Sequence, residues 1–275
     1  MNMAIAAING DDALYHYFKD AVAAKEPDIE LVKGLILNLS IWLPPKVYQR
    51  LPILLPFAIR DPKCRKSANR PEEWGSCDKN GYFRDDNTLI KAIPRGFRIA
   101  GSNRFYQNKN MANGFVASHI WRKLNNTDEL ASHNPLTNTF VPNLVWLPRQ
   151  IAKLTDREGS FAQTYVQALS IEIYKKVELL PQRANFVHNV WLMLQQPKII
   201  EKGVDIQKLN YFKIGDQDVE KLIENVLNKI DLLKEKTPKK KFYCSRYFDT
   251  YPALSIEAKA MFLEKMDYYA QLIKG

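Results

Sequence analysis

The residue best suited to chemistry in this sequence is a histidine inside an apolar, strand-forming run. His119 lies in FVASHIW, residues 115–121. Side chains alternate between the two faces of a strand, which puts His119 on the same face as Phe115, Ala117 and Trp121. A histidine in such surroundings is either a hydrogen-bonded core residue or a general base held in a fixed position, because an imidazole titrates near neutral pH.

A second group of residues is suited to binding phosphate. Residues 61–111 interleave arginine and lysine with aromatic side chains. This pattern favours phosphate contacts and base stacking, although an ordinary solvated loop region also shows it. The chain of 275 residues carries 40 Lys and Arg against 30 Asp and Glu, a net charge of +10. Such a balance favours a polyanionic partner, for which nucleic acid is the first candidate.

The composition disfavours several other classes of protein. No uncharged apolar run reaches the roughly 18 residues needed to cross a membrane. The N-terminus also lacks the basic start of a secretion signal, so we expect a cytoplasmic protein. The three cysteines, Cys64, Cys77 and Cys244, are too few and too scattered for a disulfide framework, and none forms the CxxC pair of a zinc site.

The elements that position these residues are expected to form one compact α+β unit that is mostly helical. We predict a helical region over residues 1–60, a loop-rich basic region over 61–111, a strand–loop–strand–helix core over 112–180 and a helical region over 181–275. The segment 45–61 is predicted as a helix interrupted by two prolines, and TLIKAI, residues 88–93, as a short strand or a strand-like loop. A single long helix is predicted from Arg149 to Lys176.

The order of motifs in residues 113–160 resembles the HNH, or ββα-metal, nuclease motif. His119 lies in a first strand, a variable loop follows, and NLVWLP, residues 143–148, lies in a second strand that begins at residue 139 and leads into a helix. The wider phrases GFVASHIWRKL and FVPNLVWLPRQIAKLTDREGSF resemble the type II restriction endonucleases that carry this motif. The resemblance covers less than a fifth of the chain.

This resemblance implies a metal-dependent endonuclease that hydrolyses phosphodiester bonds of double-stranded DNA within a restriction-modification system. His119 would be the general base that activates water, and one Mg²⁺ or Mn²⁺ ion per active site would neutralise the scissile phosphate. Enzymes of this type commonly act as homodimers on palindromic sites, and a cognate DNA methyltransferase would accompany the nuclease. The side chains predicted to bind DNA are all basic: Arg84, Lys91, Arg95, Arg98, Arg104, Arg122, Arg149 and Lys153.

The same resemblance assigns the residues around the metal. Asn143 would either ligate the metal or brace the loop through its amide, which can both donate and accept. In the metal-binding arrangement, the imidazole of His119 and the amide of Asn143 converge around one cation. Gln150 and Asp156, on the following helix, are the two candidates for the third ligand.

Two departures from the family pattern leave alternatives open. The last helix position, where the family carries His, Asn or Lys, has no clear counterpart, so the metal would be bound by Asn143 and water alone or by an acid from elsewhere. Ser118 stands where the family often carries an acidic metal ligand, so FRDDN, residues 83–87, is the obvious other source of an acid. A nucleic-acid-binding protein with a degenerate, non-catalytic HNH-like hairpin is the main alternative. A PD-(D/E)xK nuclease fits less well, because Leu89 stands two residues before Lys91 where that motif needs an acid.

Overall fold

A five-stranded mixed sheet forms the centre of the fold. The structure, a computed structural model, describes residues 29–61, 77–197, 205–234 and 254–275. Cys64, Cys244 and the helix predicted before residue 29 lie outside the described residues. The strands of the chain are β1 (Ile41–Trp42), β2 (Ala58–Arg60), β3 (Phe83–Asp85), β4 (Ile99–Ala100), β5 (Phe115–His119), β6 (Leu144–Pro148) and β7 (Asn210–Phe212). The large sheet has the order β4-β7-β1-β6-β5, with only the β7–β1 pair parallel.

Helices surround this sheet. They are α1 (Ile29–Leu39), α2 (Pro45–Arg50), α3 (Thr88–Ala92), α4 (Pro135–Asn138), α5 (Arg149–Thr155), α6 (Phe161–Tyr174), α7 (Pro181–Leu192), α8 (Asp216–Lys234) and α9 (Ile256–Lys274). In the central strands, Ile41, Trp42, Leu144 and Trp146 expose no surface. Burial on this scale is the main source of stability for a mixed sheet. No helix within the described ranges combines the length and apolar character needed to cross a membrane.

The antiparallel pair β5–β6 carries the histidine singled out in the sequence. Its register runs from Phe115 opposite Pro148 to His119 opposite Leu144. Helix α5 begins directly after β6, and it packs against both strands. The predicted α+β class is confirmed, and the chain follows the predicted order of strand, loop, strand and helix in this region.

A second, two-stranded sheet brings a pair of ionic contacts close to β5. Strands β2 and β3 are parallel, with Arg60 opposite Asp85. Arg60 Nε lies 3.1 Å from Asp86 Oδ1, and Arg84 Nη1 lies 3.3 Å from Asp61 Oδ2. These two ion pairs connect the ends of both strands.

Two local predictions about residues 45–93 were wrong. The helix predicted over 45–61 ends at Arg50, and residues 58–60 form β2 instead. The prolines at 52 and 56 explain this, because proline cannot donate the hydrogen bond that continues a helix. TLIKAI was predicted as a short strand or a strand-like loop but forms α3, where the Asp85 carboxylate accepts a hydrogen bond from the Leu89 amide at 3.0 Å. That side-chain acceptor supports the first turn of the helix.

The long helix predicted from residue 149 to 176 is in fact two helices, α5 and α6. Gly159 has a φ of +71°, a left-handed conformation that interrupts a helix. Ser160 then accepts a hydrogen bond from the Gln163 amide and caps α6. The sequence did not reveal the break, because it depends on the backbone conformation of one residue.

Candidate functional site

His119 is held in one orientation by two oxygen atoms of a single residue. Its Nε2 lies 2.9 Å from the Asn138 carbonyl oxygen and 3.1 Å from Asn138 Oδ1. Carbonyl oxygens only accept hydrogen bonds, so Nε2 carries the proton and Nδ1 keeps its lone pair as an acceptor. Asn138 is itself held, because its Nδ2 donates to the Ala58 carbonyl on β2 at 3.0 Å. The arrangement therefore fixes the tautomer in which Nδ1 can accept a proton.

The side chain nearest to that lone pair belongs to Asn87. Asn87 Nδ2 lies 3.5 Å from His119 Nδ1 and 3.3 Å from the Ala117 carbonyl oxygen. The backbone of Asn87 is left-handed, with a φ of 60°, which few residues other than glycine and asparagine adopt. Its Oδ1 is buried and has no hydrogen-bond partner. A buried acceptor without a partner is costly unless a further group binds there.

The surroundings keep the imidazole neutral. Burial lowers the pKa of His119 from the ordinary 6.5 to about 4, and the positive charge of Arg60 acts in the same direction. The hydrogen bonds with Asn138 and the negative charge of Asp86 act in the opposite direction without outweighing burial. Near neutral pH, His119 is therefore unprotonated and available as a base.

His119 lies at the wall of a large, strongly basic cleft with a volume of about 900 Å³. The ionic side chains that line it are the cations Arg60, Lys91, Arg95, Arg122, Arg149 and Lys153 and the carboxylates Asp86 and Asp156. Six cations against two anions give the cleft a positive charge. A cleft lined mainly by one sign of charge attracts ligands of the opposite sign.

Five of the eight side chains predicted to bind DNA line this cleft: Lys91, Arg95, Arg122, Arg149 and Lys153. The other three lie elsewhere. Arg84 pairs with Asp61 on the small sheet, whereas Arg98 and Arg104 are exposed near the loop that follows β4. The structure thus brings most of the predicted basic residues to the same place as His119.

The two predicted ligands on α5 differ in position. Asp156, at the end of α5, lines the cleft, whereas Gln150 does not. Burial raises the pKa of the Asp156 carboxyl, and the charges of Lys153, Arg60 and Arg122 oppose that change. Of the two candidates, Asp156 therefore shares a cleft with His119.

Asn143 lies outside the cleft and is fully buried. Its Oδ1 accepts a hydrogen bond from the Trp121 amide at 2.7 Å, and its Nδ2 donates to the Thr137 carbonyl at 2.8 Å. The imidazole of His119 and the amide of Asn143 do not converge on one point where a cation would bind. This geometry favours the bracing role that the resemblance allows for Asn143.

Sequence reasoning missed two residues of the site, Asn138 and Arg60. Asn138 lies in the connector between the two strands. That connector contains many polar residues, and nothing in the sequence distinguished Asn138 from the others. Arg60 ends a segment that was predicted to be helical, so its place beside His119 could not be inferred. Only the folded chain brings β2, α4 and β5 together around the imidazole.

The donor atoms of the cleft decide where a divalent cation would fit. In the described residues, no group of three or more His, Cys, Asp and Glu side chains is placed to hold a metal ion. The cleft does offer the carboxylates of Asp86 and Asp156, and Asn87, whose Nδ2 faces His119, carries a buried Oδ1 without a hydrogen-bond partner. Oxygen donors of this kind are the ligands that Mg²⁺ prefers, together with water.

Comparisons with protein-family models, with curated proteins and with solved structures found no match for this chain. The function therefore has to be argued from the site itself. Its parts are an oriented neutral imidazole, a basic cleft and a few oxygen donors. Such a set suits the transfer of a proton from water next to a bound polyanion.

Proposed function

We propose that this protein is a metal-dependent endonuclease that hydrolyses phosphodiester bonds of double-stranded DNA, with His119 as the general base. The observation that carries the proposal is the orientation of the imidazole. Its Nε2 is bound to Asn138, so Nδ1 is the basic atom of a residue that lines a cleft with six cations. A base held beside phosphate-binding cations is the minimum that this hydrolysis requires.

In the proposed reaction, His119 Nδ1 takes a proton from a water molecule while the water oxygen attacks the phosphorus atom. The bond from phosphorus to the leaving oxygen breaks, and a proton from solvent completes the new hydroxyl group. The imidazolium that forms keeps its Nε2 hydrogen bond to Asn138, and the negative charge of Asp86 favours it. Arg60 and the other cations of the cleft neutralise the phosphate charge that develops.

A divalent cation fits this scheme through Asp86 and Asn87, because these residues supply oxygen donors beside His119. Asp156 contributes a further carboxylate to the same cleft. When bound, Mg²⁺ or Mn²⁺ would neutralise the phosphate and assist the leaving oxygen. Asp86 and Asn87 thereby replace the acid that the motif lacks at Ser118.

The proposal also specifies the class of nuclease, a type II restriction endonuclease. A homodimer with two such clefts would match a palindromic site, because two-fold symmetry in the protein mirrors that of the duplex. A cognate DNA methyltransferase would then protect the host sequence. The phrases FVASHIW and NLVWLP support this assignment through their resemblance to such enzymes.

The test is plasmid cleavage by purified protein in Mg²⁺, in Mn²⁺ and in EDTA. We expect discrete, metal-dependent fragments from the wild type and a loss of about 10²–10⁴ in rate for His119→Ala, the usual contribution of a general base. His133→Ala is the matched control, because His133 is exposed and does not line the cleft. His119→Asn keeps an amide donor for Asn138 and separates loss of the base from loss of folding.

Two results would reject the proposal. Cleavage by His119→Ala at the wild-type rate would mean that another group is the base. Duplex binding by a folded wild type without any cleavage, in either metal, would favour the alternative of a non-catalytic DNA-binding protein. A smear of products instead of discrete fragments would support a nuclease but reject a site-specific restriction enzyme.

A further inference from the structure

The loop between β4 and β5, residues 102–113, leads directly into the strand that carries His119. The loop lies in a long stretch of the chain without acidic residues, since no Asp or Glu occurs between Asp86 and Asp128. The loop itself is rich in asparagine and holds Arg104 and Lys109. A surface without carboxylates can approach DNA without repelling its phosphates.

The base of this loop is held firmly by hydrogen bonds to the rest of the fold. Asn103 Nδ2 donates to the Asn38 carbonyl at 2.8 Å, and the Tyr106 hydroxyl donates to the Leu39 carbonyl at 3.2 Å. At Gly101, a Cβ atom would lie 2.5 Å from the Asn210 Cα, so only glycine allows this close approach. These contacts fix the position of the loop before any ligand binds.

Arg104, Phe105 and Asn113 are among the exposed side chains of the loop that take no part in this bracing. Phe105 exposes 66% of its surface. The Arg104 guanidinium carbon lies 5.1 Å from the centre of the Phe105 ring, which keeps both side chains together. Arginine is the common partner of guanine and asparagine of adenine at base edges, and an apolar ring can contact the thymine methyl group or enter a base step.

The loop is also at a suitable distance from the cleft. The Gly114 carbonyl, directly after the loop, accepts a hydrogen bond from the Arg149 amide at 2.8 Å, and Arg149 lines the cleft. The Tyr106 ring of the loop lies 5.8 Å from the ring of Phe115 at the start of β5, and the five residue steps from Gly114 to His119 span about 17 Å. At about 3.4 Å per base pair, that corresponds to about five base pairs. The start of β5, where the loop ends, therefore lies within the length of a short duplex bound at His119.

We infer that the 102–113 loop reads base pairs of duplex DNA, with Arg104, Phe105 and Asn113 making the base contacts. The inference rests on the proposed function, since it takes the duplex in the cleft as the ligand. The cleft and the loop then have different roles in DNA binding. The cleft binds phosphates of any sequence, and the loop selects the sequence that is held there.

The experiment is a selection of bound duplexes from a library with a randomised centre. Every protein carries His119→Asn, so that bound DNA is not cut in Mg²⁺. The parent is compared with Arg104→Ala/Phe105→Ala/Asn113→Ala, and two controls are included. Arg95→Ala removes a cation of the cleft, and Tyr268→Ala removes an aromatic side chain that is 54% exposed on α9.

We expect the parent to enrich one sequence motif. In the triple variant, the preference for that motif over a scrambled duplex should fall by at least about 10-fold. The affinity of the triple variant for the scrambled duplex should change by about 3-fold or less. Arg95→Ala should weaken binding to both duplexes alike, and Tyr268→Ala should change neither. A triple variant that selects the parental motif unchanged overturns the inference, as does a parent that binds without any motif or does not bind DNA.

The result is independent of the cleavage assay with the wild-type enzyme. Loss of the motif in the triple variant, combined with a wild type that never cuts, would leave the loop as a DNA reader and reject the nuclease. The triple substitution can also be tested in a protein that retains His119. If that protein cuts DNA at the same site as the wild type in a metal-dependent manner, the nuclease function stands and the proposed role of the loop is rejected.

Discussion

At the level of single residues, the hydrogen-bond partner of His119 influences the pKa of its imidazole. Asn138 holds the Nε2 proton with neutral oxygen atoms, whereas a carboxylate in that place would favour the imidazolium and raise the pKa. Burial is the largest influence on this imidazole, and it brings the pKa to about 4. His119 is consequently unprotonated over the whole physiological pH range.

The depressed pKa of His119 has a consequence for stability that can be measured without DNA. In the unfolded chain an ordinary histidine has a pKa of 6.5, so between that value and about 4 the unfolded state binds more protons than the folded state. Folding stability should therefore fall as pH decreases through this window. Between pH 7 and pH 5 we expect His119 to account for a loss of about 2 kcal/mol in the free energy of unfolding.

Urea denaturation of the wild type and of His119→Asn at both pH values, in metal-free buffer, measures this difference. Asparagine keeps an N–H donor near Asn138 but does not titrate, so the variant should lose about 2 kcal/mol less than the wild type on acidification. Equal losses in the two proteins would mean that the imidazole of His119 titrates normally and is not held in a dry site.

At the level of secondary structure, the β5–β6 pair depends on Asn143. This side chain donates to Thr137 and accepts from Trp121, so it ties the long connector to the end of the first strand. We predict that Asn143→Ala lowers the free energy of unfolding by about 2–4 kcal/mol, because two buried backbone groups lose their partners. Denaturant titration checks the value.

Two further measurements distinguish the roles that the sequence left open for Asn143. Asn113→Ala is the control, since Asn113 is exposed, and it should leave the stability within about 0.5 kcal/mol of the wild type. Calorimetric titration of Mn²⁺ into folded Asn143→Ala should give the wild-type affinity. A variant of unchanged stability that no longer binds Mn²⁺ would instead make Asn143 a metal ligand.

The sequence predicted this element better than its surroundings, and the reason is physical. Alternation in FVASHIW and the apolar run in NLVWLP are local signals, and a strand forms in each. The second strand was predicted to begin at residue 139, but it begins at Leu144, after a 3-10 turn over Val141–Asn143. The break at Gly159 depends on one backbone conformation, and the helix at Thr88 depends on an Asp85 contact. The contacts of Asn138, Asn87 and Arg60 join parts of the chain that are distant in sequence, which periodicity does not encode.

At the level of the whole molecule, cationic side chains gather in the cleft that contains His119. Arg149 and Lys153 lie four residues apart on α5, so both face the cleft on the same side of that helix. Arg95 lies in the same cleft, and neither Arg95 nor Arg149 forms an ion pair with a described acidic side chain. Cations placed in this way can exchange solvent ions for phosphates.

This concentration of charge predicts how DNA binding depends on salt. Each phosphate contact contributes about −0.9 to the slope of log affinity against log salt concentration, because binding releases condensed counterions. We expect Arg149→Ala and Lys153→Ala each to weaken binding evenly across unrelated duplexes and to reduce the magnitude of the slope by about 0.9. Fluorescence anisotropy with labelled duplexes between about 50 and 200 mM salt measures both effects. Lys274→Ala, an exposed cation that does not line the cleft, should leave the slope unchanged. If the cleft variants keep the wild-type slope while Lys274→Ala lowers it, the duplex binds on another face and His119 does not reach it.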